Sequence, residues 1–339
     1  MEKALVTGGA GFIGSNLASA LAKSGTDVTV FDNFSRKGSR HNAEWLGENQ
    51  QIKIVEGDVR NFSQVAEAAR GRDVIFHTAG QTAVTTSVAN PREDFEINAL
   101  GTFNVLEAAR QDDACVVYCS TNKVYGDNVN AVPLVEKEKR YEFSGKHRNG
   151  IREDFHIDAR HHTPYGVSKL VGEQYARDYG ALYGIKTVVN RMSCIYGTRQ
   201  FGTADQGWIS HFVRAAIFNK PLTIYGNGKQ VRDVLFVSDL VELFIREAES
   251  RKKLHGQAFN VGGGKENTIS LIELTEELER ITGRKIRTSK DTWRPADQKV
   301  YYSDISKATK TLGWRPKVAP IQGIEALFRW TDKNKNLFA

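Results

Sequence analysis

Thr7-Gly8-Gly9-Ala10-Gly11-Phe12-Ile13-Gly14 decides how this chain folds. Ahead of it, KALVTG at 3–8 reads as a short strand running into a turn. Behind it, FIGSNLASALAKSG at 12–25 spaces its apolar side chains as a helix does and closes on Gly25. Between a strand and a helix the glycines have separate uses. Gly8 suits a tight turn, Gly11 lets backbone approach a pyrophosphate, and Gly14 lets the helix lie close on the sheet. The N–H groups at the helix start attract phosphate. The spacing is TGxxGxxG rather than GxGxxG, and a glycine cluster alone is weak support. It gains weight from Asp32, which ends the next strand, DVTVFD at 27–32. An acid at that distance accepts ribose hydroxyls and repels a 2′-phosphate, which favours NAD over NADP, although Arg36 works against the inference. Asp58 closes IKIVEGD at 52–58. It is open to two compatible readings, an adenine contact and a cap for the following helix.

Outward from this unit the pattern repeats. DVIFHTAG (73–80), FEINALGTFNVLEAAR (95–110), CVVYCST (115–121), YGVSKLVGEQYARDYGALYG (165–184) and IKTVVNRMS (185–193) alternate apolar runs with helical periodicity. That rhythm predicts an α/β fold: a Rossmann-type doubly wound parallel sheet, with a smaller α/β C-terminal substrate lobe. The boundaries expected are 1–190 for the dinucleotide-binding domain, with a strand returning near 230–240, and 191–339 mainly for the lobe. The stretch from Val135 to Thr163 is polar, charged and without periodicity, and reads as a long surface insertion.

Composition narrows the classes. The chain has 339 residues, 40% hydrophobic and 26% charged, with a net charge of +7. Basic residues are interleaved with acids rather than clustered, so nucleic acid is not the expected partner, and an anionic small substrate suits the excess equally well. No apolar run is long enough to span a membrane. The three cysteines, Cys115, Cys119 and Cys194, cannot all pair within the chain and show no CxxC spacing, so neither disulfides nor zinc are expected. His161-His162 has no acid or cysteine at ligand spacing, so no metal is expected there. The lack of a signal-peptide pattern predicts a cytoplasmic protein. His77, at a strand end, reads as a packed, hydrogen-bonded histidine.

Tyr165 and Lys169 form YxxxK. Their i, i+4 spacing puts both on one helix face, where an ammonium would lower the phenol's pKa and make it a usable general base. YxxxK alone is common. Its company includes Ser120-Thr121 at the end of a strand, whose hydroxyl can bond a reacting oxygen, and Pro164, which can start the helix.

TGGAGFIGS, VFDNFS, GDVRN, HTAGQ, STNKVYGD, PYGVSK, YGTRQ, YGNGKQVRDVLFVSDL and FNVGGG together resemble the extended short-chain dehydrogenase/reductases, the nucleotide-sugar epimerases and dehydratases, over essentially the whole chain. The resemblance implies a catalytic trio of Thr121, Tyr165 and Lys169. It implies NAD held by Gly8, Gly11, Phe12, Ile13, Asp32, Asn33, Ser35, Arg36, Asp58, Val59, Ala79, Gly80, Gln81 and Asn98, with Tyr165 and Lys169. It implies a nucleotide-sugar substrate met by Thr121, Asn122, Lys123, Ser193, Gln206, Gly207, Trp208 and Ile209. Thr223, Ile224 and Tyr225 would border the base, Arg232 and Arg294 would take the diphosphate, and Asp297 would accept ribose hydroxyls. FDNFSRKG, HTAGQTAVTTS and RQFGTADQGW resemble, within the family, the 2-epimerases of CDP-hexoses of the paratose, tyvelose or glucose type. This implies inversion at C2 by transient oxidation, rotation and re-reduction, with UDP-hexose 4-epimerisation as the alternative and a homodimer or homotetramer as the assembly. A dehydratase of this family carries Asp-Glu after the trio hydroxyl. Asn122-Lys123 cannot do that proton work in the same way.

Overall fold

The apolar runs of the first half become strands with little exposed surface, as a parallel sheet covered on both faces requires. β1 (Lys3–Thr7), β2 (Asp27–Asp32), β3 (Ile52–Glu56), β4 (Val74–His77) and β5 (Cys115–Thr121) pair in parallel in the order β3-β2-β1-β4-β5. Every residue of β5 is buried. Between the strands run α1 (Phe12–Lys23), α2 (Ser39–Gly47) and α3 (Phe62–Ala69). After β4 comes a helical stretch made of α4 (Val84–Ala89), α5 (Pro91–Phe95), a π-helical turn (Glu96–Leu100) and α6 (Gly101–Asp112). Strand order reverses between β1 and β4, and in open α/β sheets ligands bind outside the carboxyl ends of the strands at that reversal.

The computed structural model describes residues 1–48, 52–294 and 297–338. They divide into two units, each built from three pieces of chain: Met1–Val124, Thr163–Arg191 and Leu240–Phe259 in the first, and Tyr125–His162, Met192–Asp239 and Asn260–Ala339 in the second. The last residue of the expected lobe, 339, lies outside the described residues. After β5 the chain enters the second unit with the hairpin β6 (Leu134–Glu136) and β7 (Tyr141–Phe143). It re-enters the first with α7 (Pro164–Tyr183) and β8 (Thr187–Met192), then leaves through β9 (Cys194–Tyr196), α8 (Trp208–Ile217), β10 (Leu222–Tyr225) and β11 (Val231–Phe236). α9 (Val237–Ser250) and β12 (Gln257–Val261) bring it back, and β8 and β12 extend the sheet to seven strands. The remainder comprises β13 (Thr268–Ser270), α10 (Leu271–Thr282), β14 (Thr288–Asp291), β15 (Val300–Tyr301), α11 (Ser306–Leu312) and α12 (Pro320–Lys333).

Two expectations change. The strand at 230–240 does not return to the large sheet. β11 pairs in parallel with β9 and β15 and antiparallel with β13, inside the second unit. A short, mostly buried run fits either sheet, and only distant partners decide between them; the segment that returns is α9 with β12. The stretch before Thr163 is not a bare surface insertion either. Tyr141, Phe143, Ile151 and Phe155 are buried. Ile151 bridges Ser303, and Asn260 donates to the Ile151 carbonyl at 2.8 Å. Those anchors sit between polar residues and meet partners far along the chain, so no periodicity betrays them.

The first unit's core gathers Leu5, Phe31, Ile75, Val105, Val116 and Tyr118 against Ala176 and Tyr179 of α7. The second unit's core sets Phe212 and Val213 of α8 against Leu274, Ile324 and Leu327. Among the described residues no helix is long and apolar enough to cross a membrane.

Candidate active site

The β1–α1 turn is shaped by exclusion. Gly8 has φ +65°, and a Cβ there would come within 2.6 Å of the Ala79 backbone; a Cβ on Gly14 would meet the Gly8 carbonyl at 2.4 Å. Helix α1 starts from Gly11, which has no side chain to cap the first turn. Its leading N–H groups are therefore left for an anion. Phe12 and Ile13 open that first turn, half-buried. Asp32, at the end of β2, accepts the Ala10 N–H at 3.0 Å and the Phe34 N–H at 2.8 Å. Burial pushes its carboxyl up, and the N–H groups of Phe34, Ala10 and Gly11 oppose that. A carboxylate with two such bonds keeps acceptor capacity for hydroxyls. A cradle that only glycine fits, an uncapped helix start and an acid at the next strand end are the features a dinucleotide requires, so the residues present fit NAD.

Around this cradle Asn33 donates to Asp58 at 2.9 Å and accepts the Ser35 N–H at 3.1 Å. Arg36 donates to the Thr82 hydroxyl at 3.1 Å. Asp58 does not cap α3; Asn61 does, accepting the Gln64 N–H. Arg60 instead grips Asp58 through Nε and Nη2, which holds its carboxyl at about 2. Val59 turns its side chain into the core, so only its backbone can face a ligand.

Thr163 caps α7 by accepting the Gly166 N–H at 3.2 Å, and Pro164 occupies the first turn. The helix therefore begins just before Tyr165. Tyr165 is 8% exposed and hydrogen-bonds the Thr121 side chain. Thr121 also accepts the Lys123 N–H at 3.2 Å and lies 3.4 Å from the Asn122 side-chain oxygen. Lys169 is 4% exposed, with its ammonium 4.4 Å from the centre of the Tyr118 ring. The trio expected from sequence thus meets in the first unit.

Its electrostatics differ from the expectation. Burial pushes the Tyr165 hydroxyl up to about 12, outweighing the downward pull of the Thr121 bond and of Arg36, while Asp94 and Cys119 push it further up. Burial pulls Lys169 down to about 8, against support from Cys119 and Asp94. Spacing showed the ammonium one turn away, but not the desolvation that both groups suffer.

The loop after β4 is held by side chains. The Gln81 N–H donates to Asn98 Oδ1, and Asn98 Nδ2 donates back to the Gln81 carbonyl, both at 3.0 Å. Gly80 leaves room beside the Asn98 oxygen and the Lys169 ammonium. Two residues of this network, Asp94 and Ser168, escaped the sequence reading. Asp94, 1% exposed, accepts from Gln81 Nε2, Asn98 Nδ2 and Ser168 Oγ. The only signal for it was an acid four residues before Asn98, on the same helix face. His77 is a packed residue, as its strand position suggested. Its ring nitrogens lie 2.7 Å and 3.1 Å from the Thr7 and Thr102 hydroxyls, and burial drives it down to about 3. Cys115 and Cys119 are buried, and burial pushes both thiols up to about 12.

The residues expected at the nucleotide lie in the second unit, and several are committed to each other. Arg232 donates to Asp297 at 2.6 Å, so these two form one pair rather than two independent contacts. Arg294 lies 4.1 Å from the centre of the Tyr225 ring and donates to the Ala204 carbonyl at 3.0 Å. Strand alternation exposes Thr223 and buries Ile224 in the core, and Ile209 is buried there too. Neither isoleucine side chain is free to border a base. Gly207, in the left-handed region at φ +79°, precedes α8, and Gln206 closes the turn with Thr203. Trp208 points its indole N–H at Cys194 Sγ, 3.4 Å away. Ser193 donates its hydroxyl to Asp233 and its N–H to the Val261 carbonyl.

Comparison with known proteins accords with this geometry. Residues 4–262 match the NAD dependent epimerase/dehydratase family. The chain is 44% identical to a CDP-paratose 2-epimerase of Salmonella typhi, over 97% of its own length and 99% of the relative's. It is 33% identical to a putative UDP-glucose 4-epimerase of Methanocaldococcus jannaschii, over 97% and 98%. Its fold is similar to that of the UDP-glucuronic acid 4-epimerase of Bacillus cereus, solved with UDP-glucuronic acid and NAD. That likeness has a TM-score of 0.84 at 29% identity and covers 98% of this chain and 99% of that one. By sequence, by fold and by the glycine cradle facing Asp32, the chain belongs to the NAD dependent epimerase/dehydratase family.

Proposed function

We propose that the protein inverts C2 of a CDP-hexose of the paratose, tyvelose or glucose type. The observation that carries the chemistry is the buried hydrogen bond between Tyr165 and Thr121, one helical turn from Lys169. The likeness to a CDP-paratose 2-epimerase supports the choice of carbon and nucleotide.

The sugar itself dictates the route. A ketone at C4 acidifies C3 and C5 but not C2, so the simplest inversion oxidises C2 and reduces it from the other face. Thr121 bonds the reacting oxygen and orients it toward Tyr165. As phenolate, Tyr165 takes the hydroxyl proton when C2 is oxidised and returns it when C2 is reduced. Lys169 and Arg36 supply positive charge on the phenolate's behalf. Bound NAD supplies the reversible two-electron acceptor and, in its oxidised form, a further positive charge. Gly8, Gly11, Asp32 and the Asn98-held loop would keep it in place. Between the two half-reactions the flat 2-keto sugar must turn over, so the nucleotide has to be gripped more firmly than the sugar. Arg294 stacked on Tyr225 and the Arg232–Asp297 pair are suited to that grip. Asn122 and Lys123 replace the acidic pair that water elimination would use.

The test is product analysis by NMR with CDP-paratose, CDP-tyvelose, CDP-glucose and UDP-glucose in deuterated water. Interconversion of a CDP-sugar at C2 with its original hydrogen retained is expected. Solvent deuterium at C2 would overturn the mechanism. Conversion of UDP-glucose alone would favour a UDP-hexose 4-epimerase, the second reading, which the Methanocaldococcus relative supports.

A second copy of the chain is the proposed partner. Val167, Tyr175, Leu182 and Tyr183 are exposed along α7, and Leu100 beside α6. Such a row favours self-association, and sedimentation velocity distinguishes monomer, dimer and tetramer. A cytoplasmic setting is proposed from three free cysteines, two of them buried.

A further inference from the structure

Asp94 is a buried acid that the chemistry above does not use. It sits in α5, ahead of the π-helical turn, and its carboxyl is met by two side-chain amides and one hydroxyl. Gln81 Nε2 lies 2.9 Å from Oδ1, Asn98 Nδ2 3.1 Å from Oδ1, and Ser168 Oγ 2.5 Å from Oδ2. The amide orientations are fixed independently. Gln81 Oε1 accepts the Ala83 N–H and Gln81 Nε2 also donates to the Ala83 carbonyl. Asn98 is locked by its reciprocal bonds with the Gln81 backbone. The two amide donors on Oδ1, the Ser168 hydroxyl on Oδ2 and the Lys169 ammonium all favour the ionised form of Asp94. Burial opposes them and pushes Asp94 up.

The three donors belong to three pieces of the site: the loop after β4, the helical stretch before α6, and α7 between Tyr165 and Lys169. The charge is felt at both members of that pair, favouring ammonium at Lys169 and opposing phenolate at Tyr165. We propose that Asp94 is the positioning residue and counter-charge of the Tyr165–Lys169 pair: it fastens α7 to the 79–83 loop and keeps the pair from shedding its proton early. The proposal rests on Tyr165 being the group that moves the proton.

Other charged and titratable groups face the pair. Arg36 approaches from the segment after β2, Cys119 and Tyr118 from β5, and His77 from β4. His77 is neutral through the physiological range and Cys119 is protonated, since burial drives the one down to about 3 and the other up to about 12. Arg36 stays charged. Glu173, one turn after Lys169, is paired with Arg191, so among the described residues Asp94 is the carboxyl whose charge reaches both members of the pair. Removing it lets the pair give up its first proton at lower pH, whichever member gives it.

The experiment follows Tyr165 by its phenolate absorbance near ~295 nm, as the difference between each protein and the same protein carrying Tyr165→Phe. Asp94→Asn keeps the shape and can still bond Gln81, Asn98 and Ser168, while losing the charge. The Tyr165 rise is expected about one pH unit lower in Asp94→Asn than in the parent. Ser168→Ala keeps the carboxylate and is expected to leave the rise where it was. An unmoved rise in Asp94→Asn, or an equal shift in Ser168→Ala, would overturn the proposal. Should Asp94→Asn not fold, Asp94→Ser removes the charge and still offers an acceptor to the same donors. The titration needs no sugar substrate, so it succeeds or fails independently of which nucleotide-sugar the enzyme takes.

Discussion

Tyr165 and Thr121 share a hydrogen bond inside a site that disfavours any charge on the phenol. Tyr165→Phe keeps the ring and the packing and removes the only atom that moves the proton. Turnover is expected to fall by at least ~10²-fold with KM within a factor of about three, read from steady-state kinetics. A second buried group can be tested through stability. Glu247 on α9 accepts from Asn190 Nδ2 at 2.8 Å, and burial pushes it up to about 8. Asn190 Oδ1 and Glu247 Oε1 have no hydrogen-bond partner among the described residues. The folded state therefore holds a proton that the unfolded chain loses near 4.5. The resulting stability is full below pH 4.5 and is lost as pH rises toward 8. Glu247→Gln can return a hydrogen bond to Asn190 without titrating. It should be more stable than the parent by about 5 kcal/mol above pH 8 and little different below pH 5, measured by urea unfolding at both pH values. None of this was legible from residue types. YxxxK gave the pairing of Tyr165 with Lys169, but burial sets both their charges, and burial is a property of the fold. Asp94 was hidden for a related reason, since its partner Ser168 lies 74 residues away.

At the scale of elements the sequence was clearest where strands are buried on both faces. DVTVFD and CVVYCST begin and end as β2 and β5 do, because a parallel strand in the middle of a sheet leaves an unbroken apolar run. The β1–α1 turn was equally plain, since its glycines answer to steric limits that no other residue meets. Gly14→Ala would drive a methyl group against the Gly8 carbonyl. The variant should lose its bound dinucleotide on purification and about 2 kcal/mol of stability, checked by absorbance of the released cofactor and by thermal unfolding. The hairpin β6–β7 was not legible, because its buried residues number few and their partners lie elsewhere. Phe143 donates its N–H to the Tyr302 hydroxyl, 159 residues on.

The whole chain passes between its two units five times. A cut near residue 190, where the rhythm of the sequence loosens, therefore does not release a finished domain. Residues 1–191 lack α9 and β12, which complete the large sheet and carry Phe244, Leu243 and Phe259 into burial. Such a fragment is expected to be insoluble or to lack a cooperative melting transition, which circular dichroism would show; a sharp transition would mean that the sheet closes without them. Boundaries drawn from local patterning fail here because membership is decided by which distant strand a segment meets.

The π-helical turn at Glu96–Leu100 carries a consequence for how this helix came to serve two masters. A widened turn is the trace of one surplus residue, and each residue in a helix advances the facing direction by about 100°. Upstream of the insertion, side chains are aimed by the demands of the cofactor loop; downstream, by the demands of the hydrophobic interior. Excising a single residue from this turn would give a more regular rod and swing Asp94 about a quarter-turn away from Ser168. Local irregularity is here the cheapest way for one continuous helix to keep two orientations at once.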